Sequence, residues 1–154
     1  MVSNLYLNNF LSPICQSYGG CFSCNNIPTV CLDQEVSFIV NLSKEAEIGT
    51  HFVALIIKKN SVFYFDSYGH ECTNQDILDY LQCLSRTIVY NNLKVQSDES
   101  KMCGFFCALI VIRNDNTCID KSDLLFHTSI PKLHLNDTLC IDYICRALEQ
   151  ICPE

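Results

Sequence analysis

The chain has 154 residues, 49% of them apolar and 18% charged, which suits one continuous hydrophobic core and argues against a disordered or repeat architecture, so a single domain over residues 1–154 is expected. Seventeen Asp and Glu against ten Lys and Arg leave a formal charge of -7, and such a surface repels phosphate, so DNA is not favoured as a partner. The longest apolar run, Cys103 to Ile112, is too short to cross a bilayer and the N-terminus lacks the pattern of a secretory signal, so an intracellular protein with no membrane partner and mostly reduced thiols is expected.

Leu5, Leu7, Phe10 and Leu11 behind the capping residues Ser3 and Asn4 predict a short helix before Pro13. Pro13 to Asp33 reads as a loop with Gly19-Gly20 as a turn. Its four cysteines, Cys15, Cys21, Cys24 and Cys31, offer enough thiolates for zinc, but they contain only one CxxC pair, so neither zinc nor any other cofactor is expected. Glu35 to Asn41 reads as a strand, and Leu42 to Thr50 as a polar connection. His51 to Lys58 and Ser61 to Asp66, rich in β-branched and aromatic residues around Lys59-Asn60, predict a β-hairpin whose first strand is apolar on both faces and therefore central.

Thr73-Asn74-Gln75-Asp76 opens a helix whose apolar stripe of Ile77, Leu78, Leu81, Leu84 and Ile88 runs to near Thr87, and a further strand is expected from Ile88 to Gln96. Cys103 to Ile112 is apolar all round and reads as a buried helix, although periodicity alone does not separate it from a buried strand. Asn136 to Cys152 predicts an amphipathic helix with Leu139, Cys140, Tyr143, Ile144, Ala147, Leu148 and Ile151 on one side. Helices bracketing a sheet make the fold class α+β.

Thiol catalysis needs a thiolate, a base to form it, a partner that fixes the base, and donors for a developing oxyanion. Cys103 stands where the unpaired N–H groups and dipole of a helix N-terminus lower a thiol pKa. The two-residue hairpin loop pairs residues whose numbers sum to 119, so Val53 faces Asp66 and His51 faces Tyr68. His51 and Asp66 are then diagonal neighbours on one face, roughly 7–8 Å apart at Cβ, a gap that imidazole and carboxylate bridge. An odd loop would reverse the parity and separate them. Asp98 and Glu99 would raise the Cys103 pKa unless they point into solvent. Taken singly, Cys103 reads as packing, His51 as a strand-end histidine, Asp66 as a turn former and Gln96 as a solvent-facing residue. Cys107, one turn beyond Cys103, reads as packing, and His70, His127 and His134 have no partner that the sequence identifies.

Gly49-Thr50-His51-Phe52, Phe65-Asp66-Ser67-Tyr68-Gly69-His70, and Gln96 seven positions before Cys103-Gly104-Phe105-Phe106-Cys107 together resemble the adenovirus maturation protease (adenain) family, which includes proteases of large self-synthesising DNA transposons and is distantly related to the ubiquitin-like-protein proteases. The resemblance implies that Cys103 is the nucleophile, His51 the base, Asp66 its orienting partner and Gln96 an oxyanion donor. It also implies a mixed sheet beside the helix that bears the nucleophile, a narrow cleft favouring glycine, and a protein or peptide substrate such as a virion precursor, cut in the host nucleus or cytoplasm or inside the virion. An activating peptide is a further partner the family suggests. The family usually carries Trp after the histidine, where this chain has Phe52 and no tryptophan at all. A modifier-removing protease and an inactive, binding descendant are the alternative readings.

Overall fold

The computed structural model describes residues 2–45, 47, 50–115 and 126–151. Gly49 of the resemblance and Cys152 of the final helix lie outside them, as does the side chain of Ile151. The architecture is α+β: a five-stranded mixed sheet in the order β1-β2-β3-β4-β5, flanked by four α-helices. Strands β1 (Tyr18–Ser23) and β2 (Val36–Asn41) run parallel, β2 pairs antiparallel with β3 (Phe52–Ile57), β3 antiparallel with β4 (Ser61–Phe65), and β4 parallel with β5 (Thr87–Tyr90).

The hairpin carries the expected register. Ala54 pairs with Phe65, Leu55 with Tyr64, Ile56 with Phe63 and Ile57 with Val62, and Lys58 N–H closes the two-residue loop on the Ser61 carbonyl at 2.8 Å. Every residue of β3 is buried, as a central strand requires. Alternation then sorts its side chains: Phe52, Ala54 and Ile56 enter the apolar cluster that holds helices α1 (Asn4–Leu11), α3 (Cys103–Asn114) and α4 (Leu135–Ile151). Val53, Leu55 and Ile57 enter the cluster under α2 (Gln75–Leu84). Ser3 and Asn74 cap α1 and α2 through bonds from Tyr6 N–H (3.1 Å) and Ile77 N–H (3.2 Å). In α4, Cys140, Tyr143, Ile144 and Ala147 form the buried face. No helix among the described residues is long and apolar enough to cross a membrane.

Three expectations require correction. The helix expected to reach near Thr87 ends at Leu84, where Ser85 turns the chain with φ of 50°, and Thr87 and Ile88 belong to β5. The stretch from Pro13 to Asp33 is not all loop, because Tyr18–Ser23 forms the edge strand β1. Gly19-Gly20 is a bulge in that strand: the register slips between Tyr18 and Gly20, Gly20 has φ of 130°, and a Cβ on Gly19 would run into Phe38 and Val36 of β2. The strand expected to reach Gln96 stops at Tyr90, and residues 91–96 leave the sheet. Their polar composition does not announce this, because the partner that ends the ladder is a side chain, described below.

Leu55→Ala removes a fully buried side chain from the α2 side of β3. It is expected to lower unfolding free energy by about 2–5 kcal/mol, measured by urea denaturation, while leaving the ionisation of Cys103 unchanged.

Candidate active site

His51 lies one residue before β3 begins and Asp66 one residue after β4 ends, so both occupy the same end of the sheet. Their side chains meet: the His51 Nε2 to Asp66 Oδ1 distance is 2.8 Å. Asp66 is 4% exposed, and a carboxylate so buried needs compensating donors. It receives a second one from Tyr68 N–H, at 2.8 Å to Oδ1. His70 Nδ1 lies 3.9 Å from Oδ2 on a side chain 74% exposed, which supplies the partner that the sequence did not identify.

Helix α3 reaches this end from the other cluster, with Cys103 as its first residue. It is a helix because its apolar run is long enough to make three turns buried on nearly every side, packed against β3. No side chain caps it, and the Cys103 N–H takes no hydrogen bond among the described residues. Burial pushes the Cys103 thiol up, but hydrogen bonding to His51 and to the backbone N–H groups of Phe52 and Gly104, with the charge of His51, outweighs burial and holds it below the ordinary thiol value. For His51, burial acts downward, while hydrogen bonds to Asp66 and Cys103 and their negative charges prevail and raise it to about 9. Both shifts favour the same species, a thiolate beside an imidazolium. Asp66 occupies Nε2, so Nδ1 is the nitrogen left for the sulfur.

Asp98 and Glu99 are exposed, and neither shifts the thiol; Asp98 pairs instead with Lys94 at 2.5 Å. Phe52 is 1% exposed and, with Gly104, gives Cys103 a backbone donor. Gly104 lies in a close approach: a Cβ there would run into Val2 and stand 3.4 Å from Phe52.

Gln96 is not solvent-facing but fully buried. Its Oε1 accepts from the Ser67 hydroxyl at 2.6 Å, and its Nε2 donates to the Ser100 carbonyl at 2.8 Å. A carbonyl only accepts, so the amide nitrogen must face Ser100. The remaining N–H points at the Tyr68 hydroxyl across a long 3.4 Å. Ser100 in turn accepts Met102 N–H at 3.2 Å and donates to Asp137 at 2.9 Å, which ties the loop before Cys103 to α4.

The structure therefore brings His51, Asp66 and Cys103 together and joins Gln96 to them through Tyr68, whose ring stacks on His51 at 5.0 Å between centroids. Sequence reasoning missed Ser67 and Tyr68 as contributors. The pairing of His51 with Tyr68 was the available signal for the second; Ser67 had none beyond its place beside Asp66. Cys107 is fully buried and its thiol is raised well above the ordinary value by burial, first, and by neighbouring charge. Of the cysteines between Pro13 and Asp33, Cys15, Cys24 and the β1 residue Cys21 are buried and Cys31 is exposed, and no group of three or more candidate metal ligands forms among the described residues.

No protein-family model matches this chain, and no curated protein is significantly similar to it. Among solved structures, the pS273R protease of ASFV is similar with a TM-score of 0.44 and 17% identity, over 72% of this chain and 43% of that one. AvrA, solved with IP6 and CoA, is similar with a TM-score of 0.40 and 14% identity, over 94% of this chain and 53% of that one. The chain thus spans about half, or less, of the length of the structures it matches.

Alkylation of Cys103 by iodoacetamide, followed by peptide mass mapping, is expected to proceed at neutral pH as for a thiolate. Changing His51 to Ala removes the hydrogen bond and the charge that lower the thiol, so the midpoint of the rate profile is expected to move upward toward the ordinary value of 9.0.

Proposed function

We propose that this protein is a cysteine endopeptidase, and the observation that carries the reading is the lowered Cys103 thiol beside a His51 that Asp66 holds at 2.8 Å. The Cys103 thiolate attacks the scissile carbonyl carbon, and the electron pair of the C=O moves onto oxygen. The Cys103 N–H and the Gln96 amide, released from its long contact with Tyr68, stabilise that oxyanion. The oxyanion collapses, the C–N bond breaks, and the His51 imidazolium gives its proton to the leaving amine. Neutral His51 then takes a proton from water, which attacks the thioester and releases the new carboxylic acid, the thiolate and the imidazolium.

Its substrates on this reading are intracellular protein precursors, those of virions among them, cut beside glycine. Cys103 is only 3% exposed and His51 14% at its side chain, so a slim backbone reaches the sulfur more readily than a bulky one. The acidic chain supplies no electrostatic footprint for DNA as an activator.

The test is hydrolysis of Gly-Gly-containing fluorogenic peptides, under reducing conditions and without DNA, by wild type, Cys103→Ala, Cys107→Ala and Gln96→Ala. Cys103→Ala is expected to abolish turnover, Cys107→Ala to retain it, and Gln96→Ala to lower kcat roughly 100- to 1000-fold. Turnover surviving in Cys103→Ala would exclude Cys103 as nucleophile. Preference for a modifier fusion over a virion-precursor peptide would assign the chain to modifier removal instead, and no turnover together with an unreactive Cys103 would support a binding module.

A further inference from the structure

We propose that Asn91 is a positioning residue for both halves of this site: its carboxamide completes the β4–β5 ladder at Asp66 in place of main chain, and so frees the following segment to carry Gln96 to Ser67. The proposal rests on the hydrolase reading for its catalytic consequence, and on backbone geometry for everything else.

In a parallel pair, one strand's residue bonds alternately to the residues flanking its partner. Thr87 N–H donates to the Asn60 carbonyl at 3.2 Å, and Asn91 N–H to the Tyr64 carbonyl at 3.3 Å. The next bonds in that series would join Asp66 N–H to the Asn91 main-chain carbonyl and residue 93 N–H to the Asp66 carbonyl. Neither main-chain bond is made; the Asn91 side chain makes both. Its Oδ1 accepts Asp66 N–H at 2.8 Å, and its Nδ2 donates to the Asp66 carbonyl at 2.6 Å and to the Leu93 carbonyl at 3.2 Å. One planar amide thus presents the same C=O acceptor and N–H donor as a peptide group, a pairing that among side chains only Asn and Gln carry.

Two consequences follow from the substitution of side chain for main chain. Asp66 is held at both of its peptide groups just where the ladder would otherwise fray, so its carboxylate stays aimed at His51. The main chain after Asn91 is released from the sheet. Continuing the Tyr64–Tyr90 register would set Leu93 opposite Ser67, yet the N–H groups that reach the Ser67 carbonyl belong to Val95 (2.9 Å) and Gln96 (3.0 Å). The extra residues loop out, and Gln96 arrives beside Ser67 with its amide against the Ser67 hydroxyl. Asn136 of α4 anchors the same turn through a 2.7 Å bond to the Val95 carbonyl.

The charged and titratable groups that act with Asp66 are His51 from the start of β3, His70 from its own turn, Tyr64 and Tyr68 beside it in the chain, Cys72 before α2, and Cys107 from α3. His51 answers to Asp66 and Cys103. Loosening Asp66 therefore lowers His51 from its raised value.

The experiment titrates His51 by NMR in the full chain and measures Gly-Gly peptide hydrolysis, for wild type, Asn91→Ala, Asn91→Gln and the core variant Leu55→Ala. Asn91→Ala is expected to lower the His51 pKa by roughly one unit and kcat by roughly 10- to 100-fold, with KM within about twofold. Asn91→Gln keeps the amide but sets it one methylene too far out. It is expected to show both changes in weaker form, and it carries the test if the alanine variant does not fold. An unchanged His51 titration in the Asn91 variants, or an equal shift in Leu55→Ala, would overturn the proposal, because the effect would then be absent or merely one of stability. If wild type hydrolyses no peptide while His51 still falls in the Asn91 variants, the hydrolase reading fails and the positioning role stands.

Discussion

The site depends on the contact between His51 and Asp66, and that contact depends on the parity of the β3–β4 hairpin. A shift of one residue would turn Asp66 to the opposite side of the strand, and no rearrangement of side chains could restore a 2.8 Å contact with His51. Beyond the last paired residue, Phe65, three consecutive residues divide the work. Asp66 fixes the imidazole, Ser67 accepts the Val95 and Gln96 N–H groups on its carbonyl and donates its hydroxyl to the Gln96 Oε1, and Tyr68 stacks on His51 while its hydroxyl faces the Gln96 amide. A strand end is a good place for such a corner, because its main-chain groups are no longer committed to the ladder and can be turned toward side chains.

Against this corner, the chemistry of Cys103 is a matter of surroundings rather than residue type. Cys15, Cys21 and Cys140 are as buried and are pushed up to about 12, with burial the leading cause for each. Cys103 suffers the same penalty and ends below the ordinary value, because donors converge on it from His51, from Phe52 N–H and from Gly104 N–H. Burial thus does most to hold the thiols of Cys15, Cys21 and Cys140 protonated and unreactive. The one whose thiol is lowered is distinguished by the donors around a helix start, which burial strengthens by excluding competing water.

The two apolar clusters explain how these parts stay registered. The face of β3 that carries Phe52, Ala54 and Ile56 seats α3, and the face that carries Val53, Leu55 and Ile57 rests on α2. The strand that leads out of His51 is therefore clamped on both sides, and the start of α3 is held at a set distance from it by close packing. Gly104 leaves room for Val2 beside that helix start, since a Cβ would run into the valine side chain.

Much of this was legible in the sequence because it is local. The hairpin register follows from a two-residue loop, the cap of α2 from Asn74 three residues before Ile77, and the burial of α3 from an apolar run with no polar side. The proximity of His51 and Asp66 is local in the same sense, being settled within sixteen residues of chain. What was misread depends on distant partners. Strand β1 is a strand only because β2 lies beside it, and its glycines resemble a turn until Phe38 and Val36 are known to occupy the space where side chains would stand. The expected strand to Gln96 stops at Tyr90 because Asp66, twenty-five residues before Asn91, bonds to the Asn91 side-chain amide, which is chemically equivalent to a peptide group. The sequence alone singled out Cys103, His51, Asp66 and Gln96 as candidates and determined which local register could aim a histidine at a carboxylate. Only tertiary packing decided that the Cys103 thiol meets that histidine and that Gln96 is buried beside them, since the free energy of those contacts comes from surfaces far apart in the chain, brought together by the burial of two apolar faces.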